Sequence, residues 1–415
     1  MTTIYLIRHA EAEGNLYRRI HGWYDSLITE NGFRQINALE ERFRNIHIDA
    51  AWSSDLYRTC TTARALYVPK GLPLHTDPEL REVNFGGWED MAFGAAYHFH
   101  REEMTLFNRV SPSWRAPGGE NLSEAGSRLE RAIRRIAGQY PDQTIAIFSH
   151  GSVIRQFMAN AKGLSPQEWN TLPHSENTAV TCMTFDGKGF QFLFQGDASH
   201  LPEEITTMGK QMWWRKDGKA EDVNLWFRPL DRETEQHLYL EARRDAWTGT
   251  HGPDIPFDGE GFWSDARRHL DQSPWGVSVA MVKEEPMGIV QLDRERYGQD
   301  GAGYIPFCYI SPKWREHELG IQLIGHAVSH FRPLGRDKLR LRCAPYNQRA
   351  QHFYAKYGFV KIGEEKNSRV PLDILEKYIG FGRQELRTEF PPPPRCQLEK
   401  GQAITPTSDR MHSPC

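Results

Sequence analysis

The chain has 415 residues, which is too long for one hydrophobic core of ordinary size and predicts two or three domains. With 39% hydrophobic residues, 25% charged residues and a formal net charge of -3, it has an ordinary globular composition and no excess positive charge for binding nucleic acid or an acidic membrane. Its six cysteines lack CxxC spacing, and no segment is typical of a signal peptide or a transmembrane helix, so we expect reduced thiols and a cytoplasmic location.

The first part of the chain, residues 1–203, alternates short apolar segments with helical patterns. Helices with apolar residues three or four positions apart are predicted over residues 55–66 and after Thr29, Ser123 and Gly151. This alternation predicts an α/β domain with a mostly parallel sheet covered on both faces. The predicted strands are residues 4–7, 50–53, 144–148, 180–185 and 190–195, the last two forming a closing hairpin.

A second domain is predicted over residues 222–390, after a polar linker at residues 204–221 that lacks a hydrophobic period. Gly358 is well placed to end its last predicted helix. Residues 391–415 begin with four prolines and contain few apolar residues, so we expect a disordered tail. In the second domain, strands are predicted at residues 224–228, 277–282, 288–292, 304–310 and 339–343, and helices at residues 233–247, 319–331 and 348–357.

Two histidines directly follow predicted strands: His9 in an Arg-His-Ala tripeptide and His150 in a Ser-His-Gly tripeptide. Open α/β sheets bind ligands at the carboxyl edge of their strands, so we expect the two side chains to face each other across one pocket. A neutral imidazole can attack a phosphoryl group and form a phosphohistidine, which divides hydrolysis of a phosphate monoester into two steps. The pattern therefore indicates phosphoryl transfer, with His9 as the nucleophile.

This reaction also needs cations around the phosphoryl oxygens and an acid that protonates the leaving alkoxide. Arg8 precedes His9, and Arg58 lies in the first turn of a predicted helix, near the positive end of its dipole. Glu82 is the candidate acid. Three other glutamates lie near the same motifs and leave that choice open: Glu11, Glu13 and Glu89.

The residues around these positions resemble the signatures of the histidine phosphatase superfamily, also called phosphoglycerate mutase-like. The resemblance begins at LIRHAEAEGN and covers about the first 200 residues, through DSLITENGFRQ, SSDLYRTCTTA, LREVNFGGWE, PGGENLSEAGSR, FSHGSVIR and GDASHL. It implies a three-layer α/β/α fold and a phosphatase that acts on a small phosphorylated metabolite without a cofactor. Ala10 stands where the family usually has glycine, a small change that we expect to be tolerated.

The resemblance also implies a role for each candidate residue. His9 would carry the phosphoryl group, and Glu82 would donate the proton. Phosphoglycerate mutases have a longer segment between the acid and the second histidine, so the short span from Glu82 to His150 favours a phosphatase. The phosphate pocket would be completed by Arg8, Arg58 and His150, and lined by Asn15 and Gly151.

In the second domain, residues 310–321 form a predicted strand-to-helix junction, where backbone N–H groups and the helix dipole can hold a pyrophosphate. Together with Asn347 and Tyr354, this segment resembles the GNAT family of N-acetyltransferases over residues 222–365. The resemblance implies an α+β domain that uses acetyl-CoA, with Tyr354 protonating the leaving thiolate. Glu318 stands at the position of the family's first loop glycine. The implied cofactor-binding residues are Ile310, Arg315, Leu319, Gly320 and Asn347.

Together these observations predict a bifunctional enzyme, a phosphatase fused to an N-acetyltransferase with an unidentified amine acceptor. Two alternatives stay open. Either the second domain is a non-catalytic acyl-CoA sensor or partner-binding module, which Glu318 favours, or the first domain has phosphoglycerate mutase-type activity. A packing role for Tyr354, on one helix face with Phe353 and Tyr357, is also open.

No metal site is expected in this chain. His98 and His100 with Glu102 alternate in a polar, Phe-rich segment, which is more typical of a lid or a surface segment than of a metal site. Neither nucleic acid nor a membrane is expected as a partner, and the sequence leaves the oligomeric state open.

Overall fold

The computed structural model describes residues 1–211, 223–365 and 370–381. The strands of its first domain are β1 (Thr2–Arg8), β2 (Ala50–Ser53), β3 (Leu74–Thr76), β4 (Thr144–Ser149), β5 (Val180–Phe185) and β6 (Phe190–Asp197). The helices of this domain are α1 (Glu13–Tyr17), α2 (Glu30–Phe43), α3 (Tyr57–Tyr67), α4 (Phe93–Phe99), α5 (Arg101–Asn108), α6 (Leu122–Ala137), α7 (Gly151–Ala161) and α8 (Thr207–Lys210).

The first domain is built on one sheet with the strand order β3-β2-β4-β1-β5-β6. The strands β3, β2, β4 and β1 run parallel, whereas β5 and β6 are antiparallel additions. Buried residues of α6 and α7 cover one face of the sheet, and those of α2 and α3 cover the other. The predicted three-layer domain with a mostly parallel sheet is confirmed.

Helix α3 begins two residues later than its predicted start at residue 55. The Asp25 carboxylate, from a distant loop, accepts the Tyr57 backbone N–H at 2.9 and 3.0 Å and so supplies the cap for this helix. Asp55 instead forms an ion pair with Arg81. The start of α3 is therefore determined by a tertiary contact, which no local pattern reports.

The second domain follows after residues 212–222, which lie outside the described residues. Its strands are β7 (Trp226–Pro229), β8 (Val277–Val282), β9 (Glu285–Asp293), β10 (Ala302–Ile310), β11 (Lys338–Cys343), β12 (Val360–Glu365) and β13 (Leu372–Tyr378). Its helices are α9 (Gln236–His251), α10 (Gly259–Gln272), α11 (Gly320–Phe331) and α12 (Gln348–Lys356).

These strands form a second sheet in the order β12-β13-β11-β10-β9-β8-β7, in which only the β10–β11 pair among the described strands is parallel. Helices α11 and α12 pack on one face and α9 and α10 on the other, so the predicted α+β architecture is confirmed. Gly358, at a φ of 82°, follows α12 as expected. Within the described ranges, no helix is both long enough and apolar enough to span a bilayer.

The sequence patterns do not predict α4, α5, α10, β3, β12 or β13. Helix α10 shows why: it begins at a glycine, and its buried stripe is limited to Trp263, Ala266 and His269. Its start is instead marked by Asp258, whose side chain accepts the Gly261 N–H at 2.9 Å. A short apolar stripe in a charged segment gives little periodicity to detect.

The predicted boundary between the domains at residue 203 lies too early for the contacts observed. The Ile205 carbonyl accepts from the Gln35 amide at 2.8 Å, and the Thr207 hydroxyl donates to Glu11 at 2.9 Å. These buried contacts favour a first domain that extends to at least residue 211. The rest of the predicted linker and the predicted tail at residues 391–415 lie outside the described residues, so those assignments stay predictions.

The two domains pack closely through α1 and α11. Tyr17 of α1 belongs to the buried apolar cluster of the second domain. A Cβ added to Gly325 of α11 would lie 2.5 Å from Tyr17 Cβ, so only glycine at position 325 permits the two helices to approach this closely. The imidazole of His98 also stacks on Trp226, with ring centroids 3.8 Å apart. The predicted lid or surface segment around His98 is therefore an interdomain contact.

We expect Gly325→Ala to destabilise the protein by about 1–3 kcal/mol, because the added methyl group must push Tyr17 or α11 out of place. Gly249→Ala is the matched control, since position 249 also lies within a helix and has nothing within 4 Å of an added Cβ. That control should be neutral or stabilise by up to about 1 kcal/mol. Urea unfolding of the full chain measures both, and equal effects would contradict the close packing of α1 on α11.

Candidate active sites

The two strand-end histidines lie side by side at the carboxyl edge of the first sheet. β1 and β4 are neighbouring parallel strands in which Arg8 pairs with Ser149, so the next residue on each strand is a histidine. The His9 backbone N–H donates to the Ser149 carbonyl at 3.0 Å, and the ring centroids of His9 and His150 are 5.3 Å apart. The structure therefore brings both histidines to one pocket.

His9 is a neutral imidazole with one ring nitrogen free. Its Nδ1 lies 2.7 Å from the Ala10 carbonyl oxygen, which can only accept a hydrogen bond, so Nδ1 carries the proton and Nε2 has the lone pair. Burial lowers the pKa of His9 well below its usual value of 6.5, and the Arg58 and Arg8 guanidinium groups lower it further. At neutral pH the ring is thus neutral and its Nε2 is unprotonated, as a nucleophile must be.

Two arginines supply buried positive charge to this pocket. Arg58, which is 1% exposed, donates to the carbonyl oxygens of Gly22 at 2.6 Å and Tyr24 at 3.0 Å. Arg8 donates to one backbone carbonyl, and its buried Nε has no partner among the described residues. Gly151 leaves room for Arg8, since a Cβ at position 151 would lie 2.9 Å from that Nε. Both guanidinium groups stay charged when buried and can hold the oxygens of an anion.

His150 presents a second free ring nitrogen. Its Nε2 lies 2.7 Å from Ser54 Oγ, which is itself 2.7 Å from Thr59 Oγ1. The opposite nitrogen, Nδ1, is buried and has no hydrogen-bond partner in the described part of the chain. Burial lowers the pKa of His150 well below 6.5, and Arg58 and His9 add to this effect. A buried ring nitrogen without a partner is costly unless a ligand engages it, which indicates an anion site here.

The Glu82 carboxylate lies at the start of α7, the helix that begins directly after His150. It interacts electrostatically with both Arg8 and Arg58, which places its carboxylate at the same pocket. The helix start holds this carboxylate firmly because the amides there lack intrahelical acceptors. Its two oxygens accept three backbone N–H bonds of 2.8–3.0 Å, from Val83, Ser152 and Val153.

The three other glutamates that the sequence offers as candidate acids form different contacts. Glu11 accepts hydrogen bonds from two threonine hydroxyl groups at 2.7 and 2.9 Å. Glu13 pairs with a second-domain arginine at 2.9 Å, and Glu89 accepts two backbone N–H bonds at 2.8 and 3.2 Å. Glu82 is the better-placed candidate acid, because its carboxylate lies at the helix start that adjoins His150.

Asn15 lies in the first turn of α1, the helix that follows the His9 loop. Its side-chain oxygen accepts the Ala12 backbone N–H at 3.1 Å. Its side-chain NH2 group has no recorded partner among the residues that the structure describes, so it is available to donate to a ligand. Asn15 thus caps α1, and its role in lining the pocket stays a prediction.

Two further residues belong to this site and are missed by the sequence reasoning. His21 is buried beside Arg58, with its Nε2 3.6 Å from Asp90; burial lowers the pKa of His21 although Asp90 raises it. Arg128 donates to the Glu82 carbonyl at 2.9 Å and so positions the loop of the candidate acid. The His-Gly pair that follows the first motif is a local sequence feature that could have identified His21 as a site residue. Arg128 lies on a helix, where nothing in the local sequence reports a contact with a distant loop.

In the second domain, β10 and β11 are paired only over their first halves. Residues 302–305 pair with residues 338–341, and β10 then continues to residue 310 alongside β9 alone. Pro306 lies at the register shift that follows and has no N–H to donate. The two parallel strands therefore diverge and leave a V-shaped opening between their carboxyl ends.

Tyr354 of α12 lies between the diverging ends of these strands. Its hydroxyl group hydrogen-bonds Cys308 of β10 and lies near Cys343, the last residue of β11. Burial raises the pKa of Tyr354 well above 10, so the hydroxyl is protonated at neutral pH. The Asn347 side chain caps α12, with its oxygen accepting the Ala350 N–H at 3.2 Å.

The segment between β10 and α11 holds the predicted pyrophosphate loop. In the part of the chain that the structure describes, the backbone N–H groups of residues 316–321 have no recorded acceptor. Leu319 is buried in the core, and a Cβ at Gly320 would lie 2.9 Å from Phe353, so the start of α11 packs tightly on α12. Successive free amides at a helix start favour an anion.

Glu318 adopts the backbone conformation that glycine takes most easily, with a φ of 55°. Its carboxylate is 70% exposed and pairs with Lys356 at 2.5 Å, so the negative charge points out of the loop. Arg315 donates from Nε to the Ile310 carbonyl at 3.0 Å and forms an ion pair with Asp245. A pyrophosphate would have to compete with Asp245 for this guanidinium group.

Comparison with known proteins matches each domain to a family. Residues 4–198 match the model of the histidine phosphatase superfamily (branch 1), and residues 236–359 match that of the acetyltransferase (GNAT) family. The probable phosphoglycerate mutase GpmB of Yersinia pestis (strain Pestoides F) is 33% identical over 206 residues, which cover 48% of this chain and 95% of that protein. The chain belongs to the histidine phosphatase superfamily. Its C-terminal part contains a GNAT domain.

Solved structures similar to this chain match it over the histidine phosphatase domain. YhfR of Bacillus stearothermophilus is 30% identical and covers 48% of this chain and 99% of its own, with a TM-score of 0.46. The mycobacterial glucosyl-3-phosphoglycerate phosphatase complexed with VO3 is 23% identical and covers 47% of this chain and 99% of its own, with a TM-score of 0.44.

We expect the histidine phosphatase domain to lose stability as the pH falls below 6.5. His9 and His150 stay neutral in the folded protein because their pKa values are lowered, whereas the unfolded chain binds protons at both. Each histidine then lowers the free energy of unfolding by up to about 1.4 kcal/mol per pH unit. Urea unfolding at pH 7.5, 6.5 and 5.5 measures the slope. His150→Gln should reduce that slope, and an unchanged slope in a folded variant contradicts the burial of a neutral His150.

Proposed function

We propose that the first domain hydrolyses a small phosphomonoester through a phosphohistidine at His9. One observation carries this proposal: Nδ1 of a buried, neutral His9 is bonded to the Ala10 carbonyl, which leaves Nε2 free beside Arg8 and Arg58. A free imidazole nitrogen next to buried guanidinium groups suits in-line attack on a phosphoryl group whose oxygens need positive charge.

The proposed reaction has two steps. In the first, His9 Nε2 attacks phosphorus, the bond from phosphorus to the leaving alkoxide breaks, and protonated Glu82 gives its proton to the alkoxide oxygen. In the second, water attacks phosphorus, the nitrogen–phosphorus bond breaks, and the Glu82 carboxylate takes a proton from the water. Arg8, Arg58 and His150 hold the phosphoryl oxygens throughout.

A second candidate for the first domain is phosphoglycerate mutase-type activity, since the relative with 33% identity is named a probable phosphoglycerate mutase. A mutase returns the phosphoryl group of the phosphohistidine to a product, whereas a phosphatase gives it to water. The short span between Glu82 and His150 favours hydrolysis. Incubation with 3-phosphoglycerate separates the two, because only the mutase forms 2-phosphoglycerate, and the phosphatase releases inorganic phosphate.

For the second domain we propose acetyl-CoA-dependent acetylation of an amine. The opening between β10 and β11, the free amides at the start of α11 and the protonated Tyr354 between the strand ends support it. In this reaction the amine nitrogen attacks the thioester carbonyl, the carbon–sulfur bond breaks, and Tyr354 gives its proton to the thiolate of CoA. The amine nitrogen loses its extra proton to solvent, and Tyr354 regains a proton from solvent. A non-catalytic acyl-CoA sensor or partner-binding module remains the alternative.

We expect His9→Ala to abolish phosphate release from p-nitrophenyl phosphate, because no other group can form the intermediate. Glu82→Gln should lower kcat for an alkyl phosphate on the order of 100-fold or more, and far less for p-nitrophenyl phosphate, whose leaving group needs little protonation. Glu41→Gln, an exposed change on α2, is the control and should have no effect. Equal losses of Glu82→Gln on both substrates would show that Glu82 is not the acid.

We expect Glu318→Gly to bind acetyl-CoA roughly fivefold more tightly than the wild-type chain, because it removes a carboxylate near the pyrophosphate. Lys356→Met should weaken binding by a similar factor, since it leaves the Glu318 charge uncompensated. Calorimetry on the full chain measures both. If neither the folded wild-type chain nor Glu318→Gly binds acetyl-CoA, the partner-binding alternative replaces the acetyltransferase.

A further inference from the structure

An arginine of the second domain reaches into the wall of the phosphatase pocket. Arg332 directly follows α11, and its Nη2 lies 2.9 and 3.2 Å from the two carboxylate oxygens of Glu13. Both side chains are buried, with exposures of 10% and 5%. Glu13 is the first residue of α1, so Arg332 fixes the start of the helix that carries Asn15.

The same guanidinium group supports the carbonyl that holds Arg58. The Arg332 guanidinium interacts electrostatically with the Tyr24 hydroxyl, and the Tyr24 backbone carbonyl accepts from Arg58 Nη1 at 3.0 Å. Burial raises the pKa of Tyr24 to about 12, so its hydroxyl stays neutral. Tyr24 thus links the two arginines, because its side chain faces Arg332 and its backbone carbonyl holds Arg58.

Arg332 is itself held in place by residues that follow β13. Its Nε donates to the Ile379 carbonyl at 2.8 Å, and its guanidinium carbon lies 4.8 Å from the centre of the Phe381 ring. That ring makes an edge-to-face contact with Tyr57, at 5.7 Å between centroids, and Tyr57 directly precedes Arg58. Arg332 is therefore ordered by its own domain and contacts the other at two points.

A second interdomain contact leads to the same pocket. Ser329 of α11 lies one turn before Arg332, and its hydroxyl oxygen accepts from Arg19 Nη2 at 2.7 Å. Arg19 pairs with Asp90 at 2.7 Å, and Asp90 is the partner of His21. Helix α11 thus adjoins the pocket wall on the His21 side as well.

We propose that Arg332 is a positioning residue for the phosphatase reaction: it holds Tyr24 and Glu13, and through them the Arg58 guanidinium and the start of α1. The inference rests on the proposed phosphatase function.

The test uses the full chain and three substitutions: Arg332→Met, Arg332→Lys and Tyr24→Phe. Arg332→Met should raise the Kd of inorganic phosphate about tenfold and lower kcat/KM for p-nitrophenyl phosphate by at least as much, because a misplaced Arg58 loses its hold on the phosphoryl oxygens. Arg332→Lys should recover part of the loss, since it keeps the charge beside Glu13. Tyr24→Phe, which removes only the hydroxyl contact, should show a smaller effect of about threefold in the same direction.

Arg340→Met is the matched control, because Arg340 pairs with Glu376 and Asp300 inside the second domain. It should change neither phosphate Kd nor kcat/KM. A thermal unfolding scan of each variant separates positioning from folding. A purely structural role lowers the unfolding midpoint and leaves phosphate Kd unchanged at 25 °C, and that result for folded Arg332→Met overturns the proposal.

If Arg332→Met does not fold, Tyr24→Phe decides, and an unchanged phosphate Kd in that variant overturns the proposal. A wild-type chain that binds phosphate without hydrolysing p-nitrophenyl phosphate overturns the phosphatase function alone, because the effect of Arg332 on phosphate Kd is still measured. A wild-type chain that neither binds phosphate nor hydrolyses the ester overturns both.

Discussion

The parallel pairing of β1 with β4 is the constraint on which the phosphatase site depends. Arg8 lies opposite Ser149, so His9 and His150 leave the sheet at the same level although they are far apart in the sequence. A shift of one residue would turn one of these strand ends toward the other face. The register is secured by buried apolar residues, among them Ile4 opposite Ile145, so the geometry of the site follows from the packing of the core.

The pocket between these strand ends concentrates positive charge and hydrogen-bond donors away from water. Among the described residues, the salt-bridge partner of Arg58 is Asp25, at the long distance of 3.9 Å. Arg8 Nε and His150 Nδ1 have no hydrogen-bond partner within the described chain. Such groups are unfavourable in an empty pocket and become favourable when an anion accepts their hydrogen bonds. An anion that binds here would therefore stabilise the domain relative to its empty form.

The strand-end histidines can be found from the sequence because an apolar run that stops at a histidine is a local signal. Arg58 and Glu82 are also identified by local sequence motifs. Arg128 and Arg332 cannot be found in this way, since each acts on a backbone carbonyl or carboxylate from a distant part of the chain.

The fold shows the same division between local and distant signals. The apolar faces of α2 and α11 repeat every three or four residues and are predicted, whereas the start of α3 is set by Asp25 from another loop. The strand divergence at Pro306 also depends on which strands flank β10. A proline in the sequence does not show which of its two neighbouring strands will be left unpaired. For Glu318, the sequence identifies the residue type, and only the backbone shows that its φ of 55° keeps the loop in a glycine-like conformation.

The place of Tyr17 has a practical consequence for anyone who wishes to divide this protein. Tyr17 belongs to the first domain by sequence and to the core of the second by packing, where it is 3% exposed. Cutting the chain between the domains would expose this ring on one fragment and the groove beside Gly325 on the other. It would also leave Glu13 and Arg332 as unpaired charges on apolar surfaces that become exposed to water. Each half would then expose an apolar surface prone to aggregation, so we expect the two domains to fold as one cooperative unit.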